Sequence, residues 1–135
     1  MAYYFNTVIE KSSFDKVLEK LTEDLKSEGF GILTEIDVQA TFKKKLDIDF
    51  KKYKILGACN PQFAYKAIKA EDKIGVFLPC NIVVEENNEG NIEVSAVDPI
   101  ASMVSVENEE LGSLAREVQE RLKNVILNLK AVVSG

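Results

Sequence analysis

The chain has 135 residues, of which 46% are hydrophobic and 29% charged, and its formal net charge is −5. This length and balance exclude disorder and fit one globular domain, residues 1–135, with a core of its own. The acidic charge argues against nucleic acid and membrane surfaces as partners, and the absence of histidine excludes catalytic dyads and triads built on that residue.

The first third of the chain is predicted to contain a strand, an amphipathic helix and a second strand. Aromatic and β-branched residues favour a strand over 3–9. Ser12 or Ser13 is suited to cap the helix that follows, and Gly29 is suited to end it. The apolar residues of this helix recur at the spacing of one buried face: Phe14, Val17, Leu18, Leu21 and Leu25. Residues 31–36 are predicted to form the second strand.

A short helix over 38–46, with Asp37 as its cap, is predicted to end in a basic segment. Residues 43–54 hold six lysines against Asp47 and Asp49. The segment is interpreted as a solvated flank that balances an acidic body, or as a patch that contacts an anion or another subunit. It contains no arginine to bind phosphate through two parallel hydrogen bonds, which weakens the second interpretation.

A third strand, 53–58, is predicted to stop at Cys59, and Asn60-Pro61 is a strong signal for a helix start. The apolar run 74–84 is predicted to be a strand interrupted at Pro79, because proline cannot donate to a ladder. A turn over 85–91 and a strand over 92–96 would complete a hairpin.

The last predicted helix, 108–131, has the clearest pattern in the chain. Its apolar stripe consists of Leu111, Leu114, Val118, Leu122, Val125, Ile126 and Leu129. The element order predicts a two-layer α+β domain, in which a mostly antiparallel sheet is covered on one face by the helices 13–28 and 108–131. We also expect a homodimer, because 74–84 is too apolar for an exposed sheet edge.

The two cysteines lie in similar motifs, Gly57-Ala58-Cys59-Asn60-Pro61 and Leu78-Pro79-Cys80-Asn81. Cys59 precedes a predicted helix start, where the helix dipole would stabilise a thiolate. Burial of both thiols as inert core residues is the competing interpretation. If the motifs meet in space, both asparagines should flank one concave notch at the sheet edge. The residues predicted to bind a small ligand are Cys59, Asn60, Cys80 and Asn81, with Tyr65 and Asp98 nearby.

Metal and cofactor sites fit the sequence poorly. Structural zinc usually takes four Cys or His ligands, whereas one chain offers two thiols; two chains, or a carboxylate such as Asp98, would be needed to complete the set. We therefore predict no metal and no cofactor. The chain start lacks the pattern of a signal peptide, and no apolar run approaches the roughly 20 residues of a membrane helix. A cytoplasmic protein with reduced cysteines is expected.

These motifs resemble the domain-of-unknown-function 302 family over nearly the whole chain. The segments that carry the resemblance are Ile55-Leu56-Gly57-Ala58-Cys59-Asn60-Pro61, Ala64-Tyr65-Lys66-Ala67, Ile74-Gly75, Leu78-Pro79-Cys80-Asn81 and Val97-Asp98-Pro99 with Met103. Gly29-Phe30-Gly31 and Thr34-Glu35-Ile36-Asp37 also fit. The resemblance implies a fold similar to the TATA-binding-protein-like class, β-α, four further strands, α, and a subunit that pairs with itself. It implies no activity.

Three hypotheses about function remain open at this stage. The first is a non-enzymatic module that binds or senses a small molecule at the two-cysteine notch. The second is a thiol-dependent enzyme that uses Cys59 as a nucleophile or redox centre. The third is a structural partner protein with inert cysteines.

Overall fold

A computed structural model describes residues 2–133 of the chain. It contains five strands, five α-helices and one 3₁₀ helix. The strands are β1 (Tyr4–Ile9), β2 (Gly31–Asp37), β3 (Tyr53–Cys59), β4 (Cys80–Glu86) and β5 (Ile92–Val97). The helices are α1 (Phe14–Ser27), α2 (Val38–Leu46), α3 (Pro61–Ala70), α4 (Pro99–Ser102) and α5 (Glu109–Val133), and the 3₁₀ helix spans Asp72–Phe77.

The strands form one antiparallel sheet in the order β1-β5-β4-β3-β2. Helices α1 and α5 pack together and cover one face of it. The core lies in that interface, and its fully buried residues include Leu21, Leu25, Ile82, Val84 and Leu122. The predicted two-layer α+β fold is therefore confirmed, with α2, α3 and α4 added between the elements of the β-α-β4-α order.

Local signals set the bounds of the first long helix. The Ser13 hydroxyl accepts a hydrogen bond from the Lys16 backbone N–H at 3.2 Å, which satisfies one of the free donors of the first turn. The helix ends before Gly29, whose φ of +85° is a conformation that glycine adopts without strain. Between these limits the predicted apolar face is buried at Val17, Leu21 and Leu25.

One predicted strand is wrong over its first half. Residues 74–79 do not belong to the sheet, because Asp72–Phe77 forms the 3₁₀ helix and β4 begins only at Cys80. Ile74 is buried in a second apolar cluster with Ala67 and Leu111, so its hydrophobicity serves packing against helices rather than a strand. A short apolar run does not by itself distinguish these two uses.

The position of β4 also removes the reason given for self-association. This strand is central, flanked by β3 and β5, so its apolar residues are not exposed at a sheet edge. The homodimer stays a prediction and needs a different surface. Within residues 2–133, no helix has the length and apolar character required to cross a membrane.

Candidate functional site

The end of β3 and the start of α3 form one side of the candidate site. Cys59 is the last residue of the strand, and Asn60 caps the helix as predicted. The Asn60 side-chain oxygen accepts hydrogen bonds from the backbone N–H groups of Gln62 at 3.2 Å and Phe63 at 3.4 Å. Pro61 occupies the first helical position, where its missing N–H costs no hydrogen bond.

Asn60 is also packed against the end of α1. It is a buried polar residue, and a Cβ atom placed on Gly29 would lie 2.8 Å from its side-chain nitrogen. Arg121 of α5 holds the same region, because its Nη1 donates to the Glu28 carbonyl at 2.9 Å and its guanidinium lies 5.1 Å from the centre of the Phe63 ring. Three helices therefore fix the position of the residue that follows Cys59.

Cys80 approaches the site from the neighbouring strand. It is the first residue of β4, pairs with Ala58 of β3 and is 8% exposed. Side chains alternate along a strand. The side chains of Cys80 and Ala58 therefore share the helix-covered face of the sheet, and the Cβ atom of Cys59 lies on the opposite face. Both cysteines nevertheless line one cavity at the strand ends, and neither is disulfide-bonded.

The cavity encloses about 50 Å³ and lies between these strand ends, α3, α4 and α5. Its walls are apolar apart from the cysteines and Asn60. The remaining wall residues are all apolar: Phe30, Ala58, Phe63, Ala64, Ala67, Leu78, Pro79, Pro99, Met103, Leu111, Leu114, Ala115 and Val118. A space of this size and character suits an uncharged molecule of a few heavy atoms, since apolar cavities do not hold water well.

Burial raises the pKa of both thiols. Desolvation raises the pKa of Cys59 above its ordinary value of 9.0. Desolvation, and then the charge of a Cys59 thiolate, raise the pKa of Cys80 to about 11. At Cys59, burial disfavours the charged form and so opposes the attraction of an anion to the start of α3.

The other predicted site residues lie outside the cavity. Tyr65 is 64% exposed on α3, and Lys69 Nζ lies 5.5 Å from the centre of its ring. Asp98 caps α4 through the Ile100 N–H at 3.0 Å and accepts a hydrogen bond from Gln119 Nε2, also at 3.0 Å. Asn81 is exposed on the face of the sheet that the helices leave open.

The prediction that both asparagines flank one notch is thus wrong for Asn81. The physical reason is strand alternation: since Cys80 points toward the helices, its neighbour must point away from them. The structure brings together Cys59, Asn60 and Cys80, and their ligand-binding role stays a prediction. Among the described residues, no group of three or more Cys, Asp or Glu side chains is arranged to hold a metal ion.

The residues that close the cavity on its helix side carry no distinct sequence signal. Leu111, Leu114 and Val118 of α5 belong to the apolar stripe of that helix, and such a stripe predicts burial in a core without indicating a cavity. The small residues Ala64 and Ala67 on the cavity side of α3 are the one signal that could have indicated space there, because they leave room between the helix and the sheet.

Replacing Asn60 by alanine should lower the free energy of unfolding by about 1 kcal/mol, because two backbone N–H groups of α3 lose their acceptor. Urea unfolding followed by circular dichroism measures the loss. The matched control is Asn88→Ala in the exposed β4–β5 turn, which should change stability by less than 0.5 kcal/mol. Equal effects of the two substitutions would contradict a capping role for Asn60.

Comparisons with known proteins agree with this architecture. The family model "Domain of unknown function DUF302" matches residues 5–129. The fold is similar to that of a crystal structure of an uncharacterized conserved protein DUF302 from Bacillus stearothermophilus, with a TM-score of 0.87. The sequences are 27% identical, and the match covers 96% of this chain and 99% of the other. The curated proteins contain no match. The chain therefore belongs to the DUF302 family.

Proposed function

We propose that this protein is a non-enzymatic module that binds or senses a small uncharged molecule in the cavity between Cys59 and Cys80. The observation that carries the proposal is the combination of an apolar cavity with two protonated thiols in its lining. A thiol is a soft, weakly polar group that contacts apolar ligands without the desolvation cost of a charge. The free thiols also suit the predicted cytoplasmic location, which itself stays a prediction.

The pKa directions argue against the thiol-dependent enzyme. The thiolate is the nucleophilic form of cysteine, and enzymes obtain it by lowering the pKa of the thiol. Here burial raises the pKa of both thiols. A histidine that could accept the proton is absent from the whole chain. The remaining alternative is that the cysteines are packed inertly. An experiment that tests whether the cavity binds a molecule distinguishes this alternative from the proposal.

Xenon is a suitable probe, because it enters small apolar cavities and makes no polar contacts. Under a few bars of xenon, amide NMR signals of residues around the cavity should shift with a saturable dependence on pressure. Ala67→Leu should abolish these shifts, because Ala67 lines the cavity and the larger side chain fills it. Ala70→Leu, one turn further along α3 and outside the lining, should leave them unchanged.

Two results of the xenon experiment would contradict the proposal. If xenon produces no saturable shifts in the native protein, the cavity does not accept an apolar molecule and the cysteines are packed inertly. If the shifts persist in Ala67→Leu, xenon binds elsewhere and the proposed site is wrong.

Alkylation by iodoacetamide should test the thiol chemistry separately. In the folded protein both thiols should react slowly at pH 7, because a raised pKa leaves less thiolate at a given pH. The rate at Cys80 should rise only as the pH approaches about 11. Cys59→Ser and Cys80→Ser isolate each thiol, and the chain unfolded in urea supplies the reference rate. Rapid alkylation of Cys59 at pH 7 would instead support the thiol-dependent enzyme.

A further inference from the structure

Sulfur is concentrated at one place in the part of the chain that the structure describes. The sequence contains two cysteines and two methionines, of which Met1 lies outside residues 2–133. The other three sulfur-bearing residues, Cys59, Cys80 and Met103, all line the same cavity of about 50 Å³. The proposed function involves the two thiols only and leaves the Met103 thioether without a role.

Three elements hold these side chains around the cavity. Cys59 ends β3 and Cys80 begins β4, and because Ala58 pairs with Cys80, the two cysteines are diagonal neighbours on adjacent strands. They are close enough that a thiolate at Cys59 raises the pKa of Cys80. Met103 follows α4, and its carbonyl accepts a hydrogen bond from the Val106 N–H at 2.9 Å. The backbones are therefore held in place, and rotation of the side chains is the movement that brings the sulfur atoms to one ion.

The free donors in this lining are of one chemical type. Thiolate and thioether sulfur are soft ligands that select Cu(I), whereas carboxylates and imidazoles suit other metals. Among the described residues, no carboxylate, lysine or arginine lines the cavity, and the chain has no histidine. The side-chain oxygen of Asn60 already accepts two backbone hydrogen bonds. Three sulfur ligands are too few for structural zinc, but Cu(I) is stable with a small set of sulfur ligands.

We propose that Cys59, Cys80 and Met103 form a binding site for Cu(I). The ion replaces the protons of both thiols, so each Cu⁺ that binds releases two protons and keeps its oxidation state. Two thiolates and one Cu⁺ leave a single negative charge, which the uncharged thioether does not alter. This charge lies at the start of α3, where the helix dipole favours an anion.

This inference goes beyond the proposed function, because it assigns a ligand of different chemistry to the same cavity. Xenon needs the apolar space, whereas Cu(I) needs the sulfur atoms, so either can fail to bind without the other. The prediction of no metal depends on the four ligands that structural zinc takes and does not extend to Cu(I).

An entry path leads to the same sulfur atoms from outside. A depression of about 220 Å³ lies beside the cavity. Four residues line both spaces: Leu78, Pro79, Cys80 and Met103. Met103 is half-buried and its side chain is unbranched, so its rotation opens the wall between them. The ion can therefore reach Cys80, although that residue is only 8% exposed.

Competition with the Cu(I) chelator bathocuproine disulfonate, under anaerobic reducing conditions, tests the proposal. The native protein should retain one Cu(I) per chain, and Zn(II) at the same concentration should not bind. The pKa of Cys59 lies above 9.0 and that of Cys80 is about 11. Because two protons are released below these values, the apparent affinity for Cu(I) should rise about 100-fold per pH unit between about pH 6 and 8.

Substitutions of the three residues test which sulfur atoms bind. Cys59→Ser and Cys80→Ser should each weaken Cu(I) binding about 1000-fold, because each removes a thiolate ligand. Met103→Leu removes the thioether but keeps an apolar side chain of similar size, so it should weaken binding about tenfold while the xenon shifts persist. The matched control is Val104→Ala, since Val104 follows Met103 but is 81% exposed and outside the cavity lining. This variant should bind Cu(I) as the native protein does.

Circular dichroism checks the fold of each variant, and Met103→Leu decides the question if a serine variant does not fold. Loss of all Cu(I) to the chelator, with the xenon shifts present, would overturn this inference and leave the proposed function intact. Cu(I) binding that either a folded serine variant or Met103→Leu leaves unchanged would place the ion elsewhere and overturn it too. Cu(I) binding without xenon shifts would overturn the proposed function alone.

Discussion

Replacing Leu122 by alanine should lower the free energy of unfolding by about 3 kcal/mol. Leu122 is fully buried on α5, in the core between that helix and the sheet. Alanine loses the transfer free energy of the deleted carbons and leaves a cavity that the surrounding core can only partly fill. Urea unfolding, followed by circular dichroism at one fixed protein concentration, measures the change.

The control for Leu122→Ala lies on the same helix. Leu127 is 70% exposed, so Leu127→Ala removes the same atoms from a helix without emptying a core. It should change the free energy of unfolding by no more than about 0.5 kcal/mol. If both substitutions have the same effect, the packing of α5 against the sheet is not what stabilises the domain.

Replacing Gly57 by alanine should cost about 2 kcal/mol, although it adds only one carbon. A Cβ atom at this position would lie 2.1 Å from Thr34 Oγ1 and 2.6 Å from Pro79 Cγ. The threonine can rotate, but the proline ring is rigid and immediately precedes Cys80. Overpacking of this kind typically costs 1–3 kcal/mol, and the displaced Pro79 should also expose the Cys80 thiol.

Two measurements test this expectation. Urea unfolding gives the loss of stability, and the iodoacetamide rate at Cys80, measured in Cys59→Ser, should increase severalfold in Gly57→Ala. Gly31 supplies the matched control, since it also lies in a strand and a Cβ there would meet no atom within 4 Å. A stable Gly57→Ala protein with an unchanged alkylation rate would show that β3 and Pro79 do not pack as described.

The helices were predicted from signals that act within a few residues. The Ser13 and Asn60 caps bond to N–H groups two or three positions later, and the apolar stripe of α1 repeats with the helix period. The 3₁₀ helix could not be predicted in this way. Burial of Ile74 depends on Ala67 and Leu111, which come from other parts of the chain.

The candidate site was predictable in part for the same physical reasons. Twin motifs at strand ends indicated that Cys59 and Cys80 meet, and the antiparallel pairing of β3 with β4 brings their strand ends side by side. The outward position of Asn81 follows from strand alternation, because an inward Cys80 requires an outward neighbour. The wall formed by Leu114 and Val118 cannot be predicted in this way, since it depends on how α5 crosses the sheet.

The pairing of β1 with β5 has a consequence for synthesis on the ribosome. The paired residues are separated by 83 positions at Ile9–Ile92 and by 93 at Tyr4–Val97. At roughly 5–20 residues per second, the first strand waits on the order of 4–20 s for its one neighbour in the sheet. Helix α5, which completes the core, emerges later still. The nascent chain must therefore keep β1 unpaired until β5 has been made, and cooperative folding should begin only when α5 has left the exit tunnel.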